Sequence, residues 1–97
     1  MRIIAGSARS LPLKAVDGMD TRPTTDKTKE TLFNVLQFDV PGCYFLDLFA
    51  GSGQIGLEAL SRGAATCVFV ENNPKCVNVI KDNLKSTRLT SFDNFCI

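Results

Sequence analysis

Three glycines in the run Gly51-Ser52-Gly53-Gln54-Ile55-Gly56 constrain this chain more than any other feature, because they follow an apolar stretch directly and open a helical one. Upstream, Cys43 to Phe49 is nearly continuously apolar, the pattern of a parallel strand buried on both faces, and Asp47 alone interrupts it. Downstream, Gln54 to Arg62 predicts a helix closed by Gly63, a residue suited to the left-handed position after a helix end. Thr66 to Val70 reads as a second buried strand. Asn73-Pro74 then supplies a cap and a first helical residue, and Cys76, Val77, Ile80 and Leu84 stripe another helix. Strand and helix alternate, so the expected class is α/β with parallel strands. Past Leu84, residues Ser86 to Thr90 read as a loop and Phe92 to Ile97 as the start of a further strand.

The G-x-G-x-x-G spacing has a physical reading. The first two glycines allow a sharp turn and a close backbone approach to a ligand, while Gly56 allows the helix to pack tightly on the strand. A ribose-binding acid belongs at the end of the next strand, about 20 residues on. Glu71 stands there, eighteen residues after Gly53. These two features predict a nucleotide or nucleoside site, and a nicotinamide dinucleotide satisfies both. Asp47 separates the possibilities. It lies four residues before Gly51, near the carboxyl end of the first strand, where a dinucleotide site more often has an apolar residue. A carboxylate there costs desolvation unless it is paired, and the amino group of S-adenosylmethionine is a suitable partner. The plainer alternative is that Asp47 hydrogen-bonds loop amides.

Before the α/β unit, Arg2 to Ala5 and Leu11 to Val16 read as two extended segments around Gly6-Ser7, with Pro12 confining the second to an edge. Asp17-Gly18 marks another turn, and Thr25 or Asp26 can cap a helix running from Lys27 to Gln37, whose apolar side is Leu32, Phe33, Val35 and Leu36. The 97 residues suit one modest core and are short for a complete doubly wound sheet. A formal net charge of +1 gives no argument about a polyanionic partner. No apolar run approaches a secretory or membrane-spanning segment, which makes the cytoplasm the expected location. The four cysteines have no C-x-x-C spacing and there is no histidine, so buried free thiols are expected in place of disulfides or a zinc site.

Phe45 to Gly53, followed by Gly56 to Ala64, resembles the small-subunit ribosomal RNA guanine-N2 methyltransferases (RsmD-like). Arg2 to Gly6, Thr21 to Asp26 and Leu32-Phe33-Asn34 resemble that family's hairpin and the helix before its sheet. The resemblance implies a Rossmann-like, class I S-adenosylmethionine-dependent methyltransferase fold of the α/β class, incomplete, with an N-terminal β-hairpin. Residues 1–97 would be the N-terminal part of a methyltransferase domain, with 1–20 the hairpin extension and 21–97 a cofactor-binding βαβα unit. It further implies that Asp47, Gly51, Ser52 and Gly53 line the methionine side of S-adenosylmethionine, that Glu71 and Asn72 line its ribose and adenine side, and that Arg22 and Thr24 close over it. Ribosomal RNA, or the assembling small subunit, would be the partner.

Two departures accompany the resemblance. The family's Asn/Asp-Pro-Pro-Tyr/Phe element, which holds the target guanine, has no counterpart here, since no Pro-Pro pair occurs. Arg9-Ser10-Leu11-Pro12 stands where the family hairpin carries an Arg-Gly-Arg-like run. The expectation is a cofactor-binding fragment of a methyltransferase with an uncovered strand edge and sheet face, prone to self-association. A nicotinamide-binding module and a noncatalytic interaction module are the alternative readings.

Overall fold

The alternation of strand and helix produces a parallel sheet flanked by its crossover helices. The computed structural model describes residues 1–16, 25–48, 50–89 and 95–96. Its elements are α1 (Asp26–Val35), β1 (Tyr44–Leu48), α2 (Gln54–Ser61), β2 (Thr66–Val70), α3 (Pro74–Thr87) and β3 (Phe95–Cys96). The strands lie in the order β1-β2-β3, all parallel. Tyr44 pairs with Thr66, Leu46 with Val68 and Leu48 with Val70, so these six share one sheet face. Phe45, Asp47, Cys67 and Phe69 share the other.

That second face carries the core. Cys67, Phe69, Leu57, Ala59, Leu60, Ile80 and Leu84 are buried together, with Phe33 of α1 stacked on Phe45 at 6.1 Å between ring centroids. The opposite face does not match the expectation of a strand buried on both sides. Tyr44, Leu46 and Leu48 are 85%, 58% and 58% exposed, because α1, α2 and α3 all pack on the Phe45 and Phe69 side.

Thr25 caps α1, its hydroxyl accepting from the Thr28 amide at 3.2 Å. The buried line of that helix is Lys29 and Phe33, one turn apart, while Leu32 and Val35 face outward. The expected apolar side is therefore partly rotated: Phe33 is buried and Leu36 packs partly against the core, while Lys29 takes the remaining place on the buried line. Helix α3 runs a turn beyond its expected end. Thr87 donates its hydroxyl to the Asn83 carbonyl at 2.7 Å, and Arg88 then takes a left-handed conformation (φ 59°) that stops the helix.

The N-terminal segment forms the expected hairpin in a minimal form. Arg2 bridges Pro12 in antiparallel sense, with Ile3 donating to Leu11 O at 3.0 Å and Leu13 to Met1 O at 2.9 Å. This hairpin is not an appendage, because Ile3, Ala8 and Leu13 belong to the same buried cluster as α2 and α3. Gly6, at φ 89°, lies so close to the end of α2 that an added Cβ would fall 1.9 Å from the Ser61 carbonyl oxygen. Glu58 completes the joint. Its carboxylate is fully buried and accepts from the amides of Ile4 (2.8 Å) and Ala5 (3.1 Å) and from Arg62 Nε (2.8 Å), with Lys29 Nζ at 3.6 Å. Lys29, equally buried, donates to Arg2 O at 2.6 Å. Desolvation lowers its pKa, and the nearby Glu58 charge opposes that shift.

Candidate functional site

Helix α2 begins at Gly53, which has no side chain with which to cap it. Asp47 supplies the missing acceptor from the neighbouring strand: its Oδ2 receives the Gly56 amide at 3.0 Å. That amide belongs to the first turn of the helix and has no partner inside it. The carboxylate is only 8% exposed. Burial raises its pKa, the Gly56 hydrogen bond pulls it back, and the Glu71 charge pushes it up again. The plainer alternative for Asp47, a bond to a backbone amide, is therefore present, and its second oxygen has no hydrogen-bond partner among the described residues.

The three glycines do different things. Gly51 turns at φ 58°, and a Cβ placed on it would meet nothing within 4 Å. It faces open space. Gly53 turns at φ 83° with the Ile80 and Phe69 side chains 3.1 and 3.4 Å from an ideal Cβ. At Gly56 the conflict is severe, since Phe69 Cε1 would lie at 2.3 Å and Cys67 Sγ at 2.6 Å. Gly56 thus sets the approach of α2 to β2, as its place in the motif predicts.

Glu71 follows β2 directly and reaches back to the glycine turn. Its Oε1 accepts from the Gly51 amide at 2.9 Å and its Oε2 from the Asn73 amide at 3.0 Å. Each carboxylate oxygen has a further lone pair, so two hydroxyls could still bind there. Asn72 beside it is exposed, and Asn73 caps α3 by accepting from Lys75 N at 2.9 Å. Ser52 is half-buried at the tip of the turn. Arg22 and Thr24 lie outside the described residues.

Asn83, which no sequence motif singles out, holds this turn in place. Asn83 of α3 is 1% exposed; its Nδ2 donates to Ser52 O and to Lys14 O, both at 3.0 Å, and its Oδ1 accepts from Lys14 N at 2.7 Å. One amide side chain thus joins the glycine turn, α3 and the hairpin. The signal was available, since Asn83 falls on the buried stripe of Cys76, Ile80, Leu84 and Thr87.

Among the described residues no Lys or Arg forms an ion pair with Asp47 or Glu71. The carboxyl ends of β1 and β2 consequently present two carboxylates beside an open glycine turn, an arrangement that favours a cationic group over a pyrophosphate. Cys43, Cys67 and Cys76 are free thiols, and burial pushes Cys67 up to about 12, leaving it unreactive. No helix is long and apolar enough among the described residues to cross a membrane.

A family model described as "Conserved hypothetical protein 95" matches residues 1–96. The chain belongs to this family. Its relatives include "Putative rRNA methyltransferase YlbH" of Bacillus subtilis, 52% identical over 93% of this chain and 49% of that protein. The "Ribosomal RNA small subunit methyltransferase D" of Haemophilus influenzae is 43% identical over 94% of this chain and 47% of its own length. Among solved structures, "Putative methyltransferase yhhF from Escherichia coli" superposes with a TM-score of 0.82 at 37% identity, covering 98% of this chain and 49% of that one. The chain spans about half the length of the curated relatives it matches. Its α/β architecture agrees with that of these methyltransferases.

Proposed function

We propose that this chain is the S-adenosylmethionine-binding half of a ribosomal RNA methyltransferase. Residues 1–97 form the N-terminal part of a class I methyltransferase domain, 1–20 as hairpin and 21–97 as the cofactor-binding βαβα unit. The observation that carries this reading is the pair of carboxylates, Asp47 and Glu71, lacking a cationic partner among the described residues and flanking the open left-handed turn at Gly51. S-adenosylmethionine brings an ammonium and a sulfonium, both positive, and a ribose diol. NAD brings a pyrophosphate, which two carboxylates repel.

In this reading Asp47 receives the ammonium group, directly or through water, and Glu71 accepts from the ribose hydroxyls. Gly51, Ser52 and Gly53 let the backbone pass close to the methionine portion, Asn72 borders the adenine, and Arg22 with Thr24 closes over the cofactor. When bound, the cofactor supplies an electrophilic methyl group. The chain's own contribution is to orient it, since methyl transfer from a sulfonium needs in-line positioning more than covalent help. The acceptor is guanine N2 of 16S ribosomal RNA, presented by the assembling small subunit in the cytoplasm. The names of the relatives support an RNA substrate. In the family this chain resembles, a Pro-Pro element holds the guanine; residues 1–97 contain no such pair and supply the cofactor-binding part.

The test is a titration of the isotope-labelled chain with S-adenosylmethionine and separately with NAD, followed by amide-resolved NMR. Shifts at Gly51, Gly53 and Glu71 selective for S-adenosylmethionine are expected. A dispersed spectrum that ignores S-adenosylmethionine, or responds better to NAD, would overturn the reading.

A further inference from the structure

A turn built on glycines needs something outside itself to fix its shape. Ser52 stands between Gly51 and Gly53, at φ 58° and 83°, and neither neighbour has a Cβ to limit how the peptide planes around it rotate. Its carbonyl is held by Asn83 Nδ2 at 3.0 Å, and the same nitrogen donates its other hydrogen to Lys14 O, also at 3.0 Å. Oδ1 of that side chain accepts from Lys14 N at 2.7 Å. A carboxamide is planar and has two N–H donors. Asn83 therefore grips both backbone groups of one hairpin residue and has a single hydrogen for the turn. If Lys14 shifts, the amide plane turns with it and the bond to Ser52 is misaligned.

The hairpin brings its open end to this point. Leu13 donates to Met1 O at 2.9 Å, which sets Met1 beside Lys14, and Met1 Sδ lies 3.9 Å from Ser52 Oγ. The tip of the hairpin is fastened at the far end of α2, where Ser7 N donates to Ser61 O at 2.8 Å. The hairpin thus spans α2 from its first turn to its last. Packing does not set the spacing at the open end. Among the described residues an open cavity of about 400 Å³ lies where Pro12, Leu13 and Lys14 face Asp82, Asn83 and Ser86. Close-packed interiors leave few such voids, and the exposed Lys14–Asp82 pair adds little. The bonds of Asn83 carry the connection. We propose that Asn83 is a positioning residue that makes the shape of the cofactor turn depend on the seating of the hairpin. It acts through Ser52 O, not on the reacting atoms. Coupling is reciprocal, so a cofactor that orders the turn also fastens the hairpin. The step from turn to cofactor rests on the S-adenosylmethionine reading; the step from hairpin to turn does not.

Lys14→Pro removes the amide that Asn83 Oδ1 receives and leaves Asn83 and Ser52 in place, whereas Lys14→Ala keeps that amide and loses only the exposed pair with Asp82. Amide-resolved NMR of the ligand-free chains is the first readout: the Ser52 and Gly53 resonances are expected to move in Lys14→Pro and to stay in Lys14→Ala. Calorimetry with S-adenosylmethionine is the second, with affinity expected to fall at least about fivefold in Lys14→Pro and to hold in Lys14→Ala. A third readout needs neither variant to fold. In the wild type, S-adenosylmethionine should slow hydrogen exchange at the Lys14 amide at least about fivefold and leave that of Leu36, at the end of α1, unchanged. A purely structural Asn83 would affect the melting temperature and none of these. Unmoved turn resonances in Lys14→Pro, equal affinities in the two variants, or Lys14 exchange indifferent to bound S-adenosylmethionine would each overturn the proposal. Moved turn resonances in a chain that does not bind S-adenosylmethionine would instead overturn the cofactor reading and leave the coupling of hairpin to turn standing.

Discussion

The two ends of helix α2 use the same chemistry for opposite purposes. At its C-terminal end Glu58 accepts two backbone amides from the hairpin and is matched by Arg62 and buried Lys29. At its N-terminal end Asp47 and Glu71 also accept backbone amides, from Gly56, Gly51 and Asn73, with no cation beside them among the described residues. A buried carboxylate with its own cations is closed, and anything inserted there breaks satisfied bonds. A carboxylate held only by amides keeps its charge available to a ligand. The contrast separates the part of the molecule that holds the hairpin from the part suited to binding.

The comparison breaks most visibly at the closed end. Glu58→Ala strands Lys29 in the core and leaves the Ile4 and Ala5 amides without acceptors, so a loss of about 3–5 kcal/mol is expected in urea denaturation. For a domain this small that is most of its stability. A loss under about 1 kcal/mol would mean that the hairpin is held by packing instead.

Gly56→Ala comes next, at about 1–3 kcal/mol, because its methyl group must displace Phe69 and Cys67. Gly51→Ala has no such conflict and should cost about 1–2 kcal/mol, from its left-handed backbone alone. Thermal melts of the two variants separate crowding from conformation, and equal losses would contradict the difference drawn between these glycines.

Asp47→Asn sharpens the comparison at the open end. The amide oxygen can still receive the Gly56 N–H, so stability should hold or rise, while affinity for S-adenosylmethionine falls about ten- to a hundredfold in calorimetry. The pH dependence follows from the sign of the shift. Burial raises the folded pKa of Asp47 above its ordinary 3.8, so ionisation costs folding free energy. The wild type should match Asp47→Asn below that value and fall behind as the pH rises through the raised pKa. A wild type that instead gains on the variant with rising pH would show that the carboxylate is stabilised by its surroundings. Smallest of all, Lys14→Ala removes an exposed pair with Asp82 at 3.4 Å, and a change below about 0.5 kcal/mol is expected in the same melts.

Much of this architecture was legible in the residues. Thr66–Val70 reads as a strand because five consecutive residues favour one, and Gly51 to Gly56 reads as a turn into a helix because nothing else explains three glycines at that spacing. Asp47 and Glu71 were legible as site candidates from their distance to the glycines. Glu58 was not, because an acid within a helix ordinarily marks its solvent face, and only the arrival of Ile4 and Ala5 from the other end of the chain turns it inward. The rotation of α1 was hidden for the same reason: Lys29 on its buried line is satisfied by Arg2 O and Glu58, partners that no local pattern records. Tertiary partners, not propensities, decide both cases.

The hairpin's joint to α2 has a temporal side. Ile4 meets Glu58 across 54 residues and Lys14 meets Asn83 across 69. A chain emerging from the ribosome therefore releases its first strands well before the helices that receive them exist. Ile3, wholly buried in the finished fold, waits exposed until α2 has been synthesised, and the clasp through Asn83 must wait for α3. What is made first is seated last, so a pause in translation between these helices would prolong the exposure of an apolar hairpin to chaperones and proteases.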